Sequence, residues 1–344
     1  MKALRTTTGI ALASGGFFPL VSLGNEARVV TDDGSDLRPG LVALANETRF
    51  NVSHFSESLT QFSTGYRDPE NLLAATDYIA PPVQVGRRFD WKNADQSKYF
   101  LTEIDDERPI GGGFKKVEFG GAEQTSKTKN RGLMTVIDAD ESGGVIDEEA
   151  ITASLLQRIF RNKYRRAITA LLAITAGDGA IFAANTQPDE ILKAALEAAQ
   201  LETGVYPNRG LIGLSGWNLR SAAYAAQNTA GATAQLTKSL SQVAGDLFLD
   251  ELRVDKSVYQ QTKTAKGRIV PASFIGFHGR DGLTKDDPSN LKQFWTPVVG
   301  GGRYRVYRRV YGPADKFIEI TIEHYENILG TSSIGATRKN ITNA

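Results

Sequence analysis

Residues 83–135 constrain the architecture more than any other part of the chain. From Arg87 to Arg131 there are ten basic and eight acidic residues, the hydrophobic ones are isolated, and Gly111-Gly112-Gly113 lies near the centre. Val83, Val85, Arg87, Phe89 and Trp91 alternate with Gln84, Gly86, Arg88 and Asp90, which is the period of two of a β-strand. Residues 98–102 continue that strand, and residues 114–119 form a second extended run. The implied shape is a long two-stranded ribbon with an acidic tip at Glu103, Asp105, Asp106 and Glu107. Two strands alone are marginal in water. The ribbon must therefore lie on its own domain or on a neighbouring subunit.

The clearest helix covers residues 147–175. Asp147 is a good cap, and Glu148 and Glu149 suit the first turn. Leu156, Phe160, Ala167, Leu171 and Ile174 form an apolar stripe that Ile151, Leu155 and Ile159 widen. At about 1.5 Å per residue such a helix is ~43 Å long. Arg158, Arg161, Lys163, Arg165 and Arg166 follow the acidic residues around its start and read as a solvated or subunit-facing surface. A shorter helix is expected near 69–75, with Asp68 as cap and Pro69 in its first position. Another covers 188–203, from Pro188 to just before Gly204.

Residues 211–214 read as a buried strand and 218–227 as a helix, whereas 231–243 is small and polar and reads as a loop. Strands are expected around Leu252 and Val254 and on either side of Pro271. Strands alternating with helices over 188–300 suggest a compact α/β unit. Residues 303–311 and 317–325 read as a hairpin. A five-residue loop sets Tyr311 against Phe317, Val306 against Ile322, Arg309 against Glu319 and Arg305 against Glu323; a slip by one residue would set arginines against isoleucines. A last strand is expected near 333–336.

Composition removes several classes of function. The 344 residues carry 40 basic and 39 acidic side chains, a net charge of +1, which excludes a chain that coats nucleic acid through its overall charge. Cysteine is absent, so thiol chemistry and disulfides are excluded, and the three histidines, His54, His278 and His324, have no ligand spacing. No apolar run is long enough for a membrane span. The first residues are basic, but the apolar stretch behind them is too short for a signal core, and they read as an arm. Gly111-Gly112-Gly113-Phe114-Lys115-Lys116 lacks the spacing of a phosphate loop, and Gly213-Leu214-Ser215-Gly216 is not a nucleophile elbow. Asp138, Asp140 and Glu141 lack the spacing of a calcium loop. The basic and aromatic run from Arg303 to Tyr311 could stack on bases, but the hairpin places half of it against a sheet. No catalytic, cofactor-binding or metal-ligating residue is assigned, and the chain reads as a protein without enzymatic activity.

The order of segments carries a resemblance. Thr60-Gln61-Phe62-Ser63-Thr64-Gly65-Tyr66-Arg67-Asp68-Pro69-Glu70-Asn71-Leu72, then Ala80-Pro81-Pro82-Val83-Gln84-Val85-Gly86-Arg87-Arg88-Phe89, the return from Glu118-Phe119 to Gly132-Leu133, the helix after Asp147, residues 211–221, and Trp295-Thr296-Pro297 to Tyr325 together resemble the tailed-bacteriophage major capsid proteins of the Hong Kong 97 type. The resemblance covers about residues 54–344. It implies an α+β fold with an amino-terminal arm and lead-in helix (1–80), an extended loop in the form of a β-ribbon (81–136), a peripheral domain with a spine helix (137–200), an axial domain (201–300) and a carboxy-terminal hairpin and strand (301–344).

The same resemblance implies a structural role, the self-assembly of pentamers and hexamers into an icosahedral shell around double-stranded DNA, in the virion and without a cofactor. Scaffolding, portal and head decoration proteins are the implied partners, with only non-specific proximity to DNA and no membrane. Some members of the family join lysine to asparagine between subunits. Lys92 and Lys98, with Asn327 or Asn340, are the available residues, and no motif supports the reaction. The residues expected at subunit interfaces are Arg87, Arg88, Trp91, Glu103, Asp105, Asp106, Glu107, Arg158, Arg161, Arg165, Arg305 and Arg309. The acidic tip is expected to meet a basic surface of an adjacent subunit, with the arginines of the long helix or of 303–309 as its candidates. The rival within the fold is an encapsulin-type shell around protein cargo. An α/β enzyme would instead show a concave polar pocket, and a DNA-binding protein would show salt-sensitive binding by the single subunit.

Overall fold

The computed structural model describes residues 20–23, 26–29, 54–92, 107, 112, 123–138, 140, 147–282, 287–299, 301–312 and 316–343. These form two compact units. One draws on the described residues of Met1–Gly65, Leu133–Leu155 and Tyr304–Ile322, the other on those of Tyr66–Gly132, Leu156–Arg303 and Glu323–Ala344.

The larger unit is built on a five-stranded mixed sheet. Its central strand, Ser273–Phe277 (β12), reads Ser-Phe-Ile-Gly-Phe and is buried along its whole length, as expected of a strand covered on both faces. It pairs antiparallel with Arg209–Gly213 (β8) on one side and with Thr337–Thr342 (β16) on the other. Glu251–Asp255 (β9) lies parallel to β8, and Gly177–Ile181 (β7) lies parallel to β16, while Val258–Gln260 (β10) and Lys266–Arg268 (β11) pair antiparallel as a separate two-stranded sheet. The last strand thus begins at Thr337 instead of near 333, because residues 331–336 turn before it.

Two helices cover this sheet. Pro188–Thr203 (α4) opens on Pro188 and ends at Gly204, which takes φ 79° and returns its N–H to the Gln200 carbonyl. Leu214–Gln227 (α5) begins four residues earlier than the sequence suggests. Phe182, Leu192, Leu196, Ile212, Leu249, Phe274 and Ile341 interlock as the core. Residues 231–243, expected to be a loop, form most of two short helices, Ala230–Leu236 (α6) and Leu240–Asp246 (α7). Their apolar stripe is too short to show a period. Their caps are what fix them: Thr229 Oγ1 accepts from Ala232 N, and Ser239 and Gln242 form a capping box.

The same unit holds the base of the ribbon. Leu291–Thr296 (β13) pairs antiparallel with the later half of Phe317–Gly330 (β15), from Leu291 opposite Gly330 to Thr296 opposite Tyr325. Pro82–Gln84 (β3) runs parallel to β13. The expected continuous strand over 83–91 is broken. Val85 N still donates to Trp295 O, but the next strand is Arg88–Lys92 (β4), which leaves β13 and pairs with Glu123–Lys127 (β5). The break falls at Gly86-Arg87, where the Arg87 carbonyl accepts from Thr128 N. Lys129–Asp138 (β6) follows as a strand of its own and pairs with β15. The expected runs 98–102 and 114–119 lie outside the described residues.

The helix Leu72–Ile79 (α2) starts later than Pro69. Asp68 still caps it, accepting from Leu72 N at 2.6 Å and Leu73 N at 3.2 Å, but Asn71 first turns through φ 52°. The long helix, Glu148–Ile174 (α3), matches expectation closely. Asp147 Oδ1 accepts from Ala150 N at 2.9 Å, and Leu155, Leu156, Ile159, Phe160, Ala167 and Leu171 are buried.

The smaller unit contains a short hairpin, Leu20–Leu23 (β1) with Glu26–Val29 (β2), the helix Glu57–Gly65 (α1), the strand Arg305–Tyr311 (β14) and the first half of β15. Ser56 N donates to Val306 O, and Val306 N donates to Thr60 Oγ1, so α1 is bonded to β14. The strands β14 and β15 are neighbours; β14 begins two residues later and β15 runs five residues further than expected of the hairpin, and the rings of Tyr311 and Phe317 lie 5.6 Å apart. Among the described residues no helix is long and apolar enough to cross a membrane.

One glycine tests the packing directly. A Cβ at Gly213 would sit 2.1 Å from the Pro271 carbonyl oxygen, a backbone atom, whereas a Cβ at Gly245 inside α7 would meet nothing within 4 Å. Gly213→Ala is expected to cost about 1–3 kcal/mol, and Gly245→Ala to stabilise by up to ~1 kcal/mol. Urea unfolding of the two variants beside the parent chain measures both, and equal midpoints would contradict the close approach.

Candidate functional site

A cluster of charges lies buried between α3 and the strands β13 and β15 of the larger unit. α3 supplies Lys163 and Arg166, β15 supplies His324 and Glu326, β13 supplies Gln293, α2 supplies Asp77, and Arg303 enters from the loop before β14. Lys163 Nζ lies 3.4 Å from Glu326 Oε2, with the two side chains 1% and 3% exposed. Arg166 donates to the other oxygen of Glu326, and His324 Nε2 is 3.6 Å from it. The Gln293 carboxamide is oriented so that its oxygen accepts from Lys163 Nζ at 2.6 Å and from Arg303 at 3.2 Å, while its nitrogen donates to Asp77 Oδ1 at 3.2 Å.

The ionisation of the cluster follows from burial and neighbours. Burial pushes Lys163 down to about 8 against the pull of Glu326. Burial also pushes His324 down and Asp77 up. Burial alone would raise Glu326, but His324, Lys163 and Arg166 outweigh it and hold that carboxyl well below the usual range. A lysine near neutrality beside a glutamate and a histidine has the makings of proton chemistry, yet these side chains are packed away from solvent. What the arrangement can do is fasten α3 to the sheet. From the sequence, Lys163 belongs with the basic residues of a solvated or subunit-facing surface of the helix. It is fully buried, because Glu326 and Gln293 meet it there.

Two further buried ion pairs hold the same unit. Arg220 grips Asp189 with two bonds of 2.6 and 2.7 Å, and its guanidinium lies over the rings of Trp217 and Tyr224. Lys292 pairs with Asp287 at 2.6 Å. Among the described residues no group of three or more histidines and carboxylates could hold a metal ion.

The residues expected at interfaces are mostly engaged within the chain. Arg161 pairs with Glu70, and Arg165 lies 4.1 Å over the ring of Tyr259. Arg305 lies over Phe55 and Tyr307, and Arg309 over Tyr311. Among the described residues Arg305 and Arg309 are seen against rings, and the expected placing of Arg309 against Glu319 and Arg305 against Glu323 stands as an expectation. The arginines turn to aromatic faces, Glu323 accepts from Asn130, and Glu319 accepts from Thr321. Trp91 is half-buried against Phe89 and Phe294. Arg158 is exposed on α3. Glu107 is exposed, whereas Glu103, Asp105 and Asp106 lie outside the described residues. Of the residues available for cross-linking, Asn327 is buried and donates to Ser126 Oγ and the Lys127 carbonyl, Lys92 and Asn340 are exposed, and Lys98 lies outside the described residues.

Arg87 and Arg88 come together with residues the sequence reading did not single out. With Lys127, Thr128, Lys129 and Asn130 they line an open cleft of about 620 Å³ at the ribbon base. Its floor is tied down by the Thr128 and Thr296 hydroxyls, 2.9 Å apart. The signal was available in the alternation of Lys127 and Lys129, but only the pairing of β4 with β5 sets Lys127 opposite Arg88, with Lys129 following at the start of β6.

No protein-family model and no curated protein matches the chain. Among solved structures, a phage-related protein from Bordetella bronchiseptica RB50 aligns with a TM-score of 0.61 at 12% identity, over 83% of this chain and 96% of that one. The capsid of cyanophage P-SCSP1u gives 0.47 at 8% identity, over 78% and 88% of the two chains. A virus-like particle from Pyrococcus furiosus gives 0.44 at 12% identity, over 84% and 100%. What the chain shares with the Bordetella protein at such identity is the fold, a mixed α+β arrangement.

The buried cluster predicts a pH signature. Between about pH 8 and the ordinary lysine range near 10.5, the unfolded chain holds the Lys163 proton and the folded chain does not, so this group makes stability rise with pH there. Lys163→Met is expected to remove that rise, read as the difference between parent and variant in urea unfolding from pH 7.5 to 9.5. Glu326→Gln leaves cations without their counter-charge and is expected to cost about 3–5 kcal/mol at pH 7. A loss below ~1 kcal/mol would show that the cluster does not hold the unit together.

Proposed function

We propose that this chain is the coat subunit of an icosahedral shell that encloses double-stranded DNA in a tailed bacteriophage or prophage. The observation that carries the reading is the fold shared with a phage-related protein over nearly the whole of that protein's length. The ordered segments that resemble Hong Kong 97-type coat proteins point the same way. In this reading the chain works as a building block without catalysis. It forms pentamers and hexamers, with scaffolding, portal and decoration proteins as partners, and its place is the virion.

The physical character of the chain suits that role. Two extended strands leave the sheet at Arg88 and return at Lys127, and a ribbon of this kind gains most when it rests on a neighbour. Charge is balanced, 40 basic against 39 acidic residues, so the wall of such a shell would let a duplex slide past instead of binding it through released counterions.

Electron microscopy with light scattering on the purified chain, alone and with a scaffolding protein, tests the reading. Closed shells, or rings of five and six that close when the scaffold is added, are expected. Shells filled with host protein and needing no scaffold would transfer the chain to the encapsulin type. A discrete dimer or tetramer that closes under no condition would overturn the shell reading altogether.

A further inference from the structure

The ribbon base carries an electrostatic misfit. Arg88 stands directly opposite Lys127 in the antiparallel ladder, and like charges in that position weaken a strand pair. Arg87 and Lys129 line the same cleft. Among the described residues none of the four is in ion-pair contact with a carboxylate, and Arg87 has only the ring of Tyr325, 5.1 Å away. The ribbon base is therefore a concave site with four cations, and the Glu323 carboxylate, which accepts from Asn130, is not an ion-pair partner of any of them.

The other candidate partners of the acidic tip are satisfied within the chain. Arg161 has Glu70, Arg308 has Glu148, Arg303 has Asp77, and Arg165, Arg305 and Arg309 lie on aromatic rings. Arg158 is one isolated charge. The sequence holds a segment that matches the cleft in sign and number, Glu103-Ile104-Asp105-Asp106-Glu107, with four carboxylates in five residues.

We propose that the cleft of Arg87, Arg88, Lys127 and Lys129 receives the acidic run 103–107 of a second copy of this chain. The inference rests on the shell reading for the reason that copies meet, but the contact itself needs no shell. Seating the run would cancel the repulsion across Arg88 and Lys127. Exposed charges of this kind set register and partner choice more than affinity, so each contact is weak and screened by salt.

The chain has no cysteine, which makes a clean cross-linking test possible. A tagged Asp105→Cys copy is mixed with an untagged Lys127→Cys copy under mild oxidation, beside a control mixture of Asp105→Cys with Arg158→Cys. The disulfide-linked heterodimer is expected at about fivefold or more above the control at low salt, falling toward it in roughly 1 M salt. Changing Glu103 and Asp106 to lysine in the tagged copy is expected to abolish the excess. A yield equal to the control overturns the proposal, as does linkage confined to single chains of an Asp105→Cys/Lys127→Cys double variant. Capture of a short DNA duplex by the cleft without any linkage assigns the cations to phosphate and also overturns it. Linked dimers that never close into shells would keep this contact and sink the shell reading, whereas shells without linkage would do the reverse.

Discussion

Glu326 is the carboxylate on which the larger unit turns. It sits on β15, and two cations of α3 converge on it from the far side of the interface. Burying Lys163 in this way is costly, which is why its proton is loosened, and the cost is tolerable only because Glu326 and Gln293 meet the ammonium together. The cluster fixes which face of the long helix points inward. Once Lys163 is inside, Leu156, Phe160, Ala167 and Leu171 must follow it into the core, and Arg158, Arg161 and Arg165 must face out.

Around that anchor the unit uses polar contacts where a simpler protein would use more hydrocarbon. Arg220 and Asp189 join the start of α4 to α5, and Lys292 and Asp287 tie β13 to the turn before it. Each pair is nearly dry, so loss of one member strands the other charge. Such pairs specify a geometry as well as stabilise it.

Much of the fold was legible in the sequence because its signals are local. The long helix was marked by its Asp147 cap and its apolar stripe, α4 by Pro188 and Gly204, and the hairpin strands by their alternation. The rest depended on partners distant in the chain. Nothing local says that Lys163 goes inside, since its carboxylate lies 163 positions away at Glu326. The helices α6 and α7 were missed because two short runs of small residues have no period, although Ser239 and Gln242 spell a capping box. The break between β3 and β4 is set by Thr128 bonding to Arg87. The candidate surface was half legible: Arg87 and Arg88 were singled out, but the lysines that complete the cleft become their neighbours only through strand pairing. Arg305 and Arg309 also lie over aromatic rings, which strand alternation alone did not show.

The position of β16 governs how the larger unit folds. Residues 337–342 lie inside the five-stranded sheet, between β7 and β12, and bond to both. Until they leave the ribosome, β7 has no strand beside it and β12 has one bare edge. The sheet therefore stays open until Thr337–Thr342 has been made, and β7 and β16, well over a hundred residues apart in the chain, form a slow kind of contact. The order of the strands in the chain thus sets the order in which they can pair: β8, β9 and β12 can come together first, and β7 joins them only through β16.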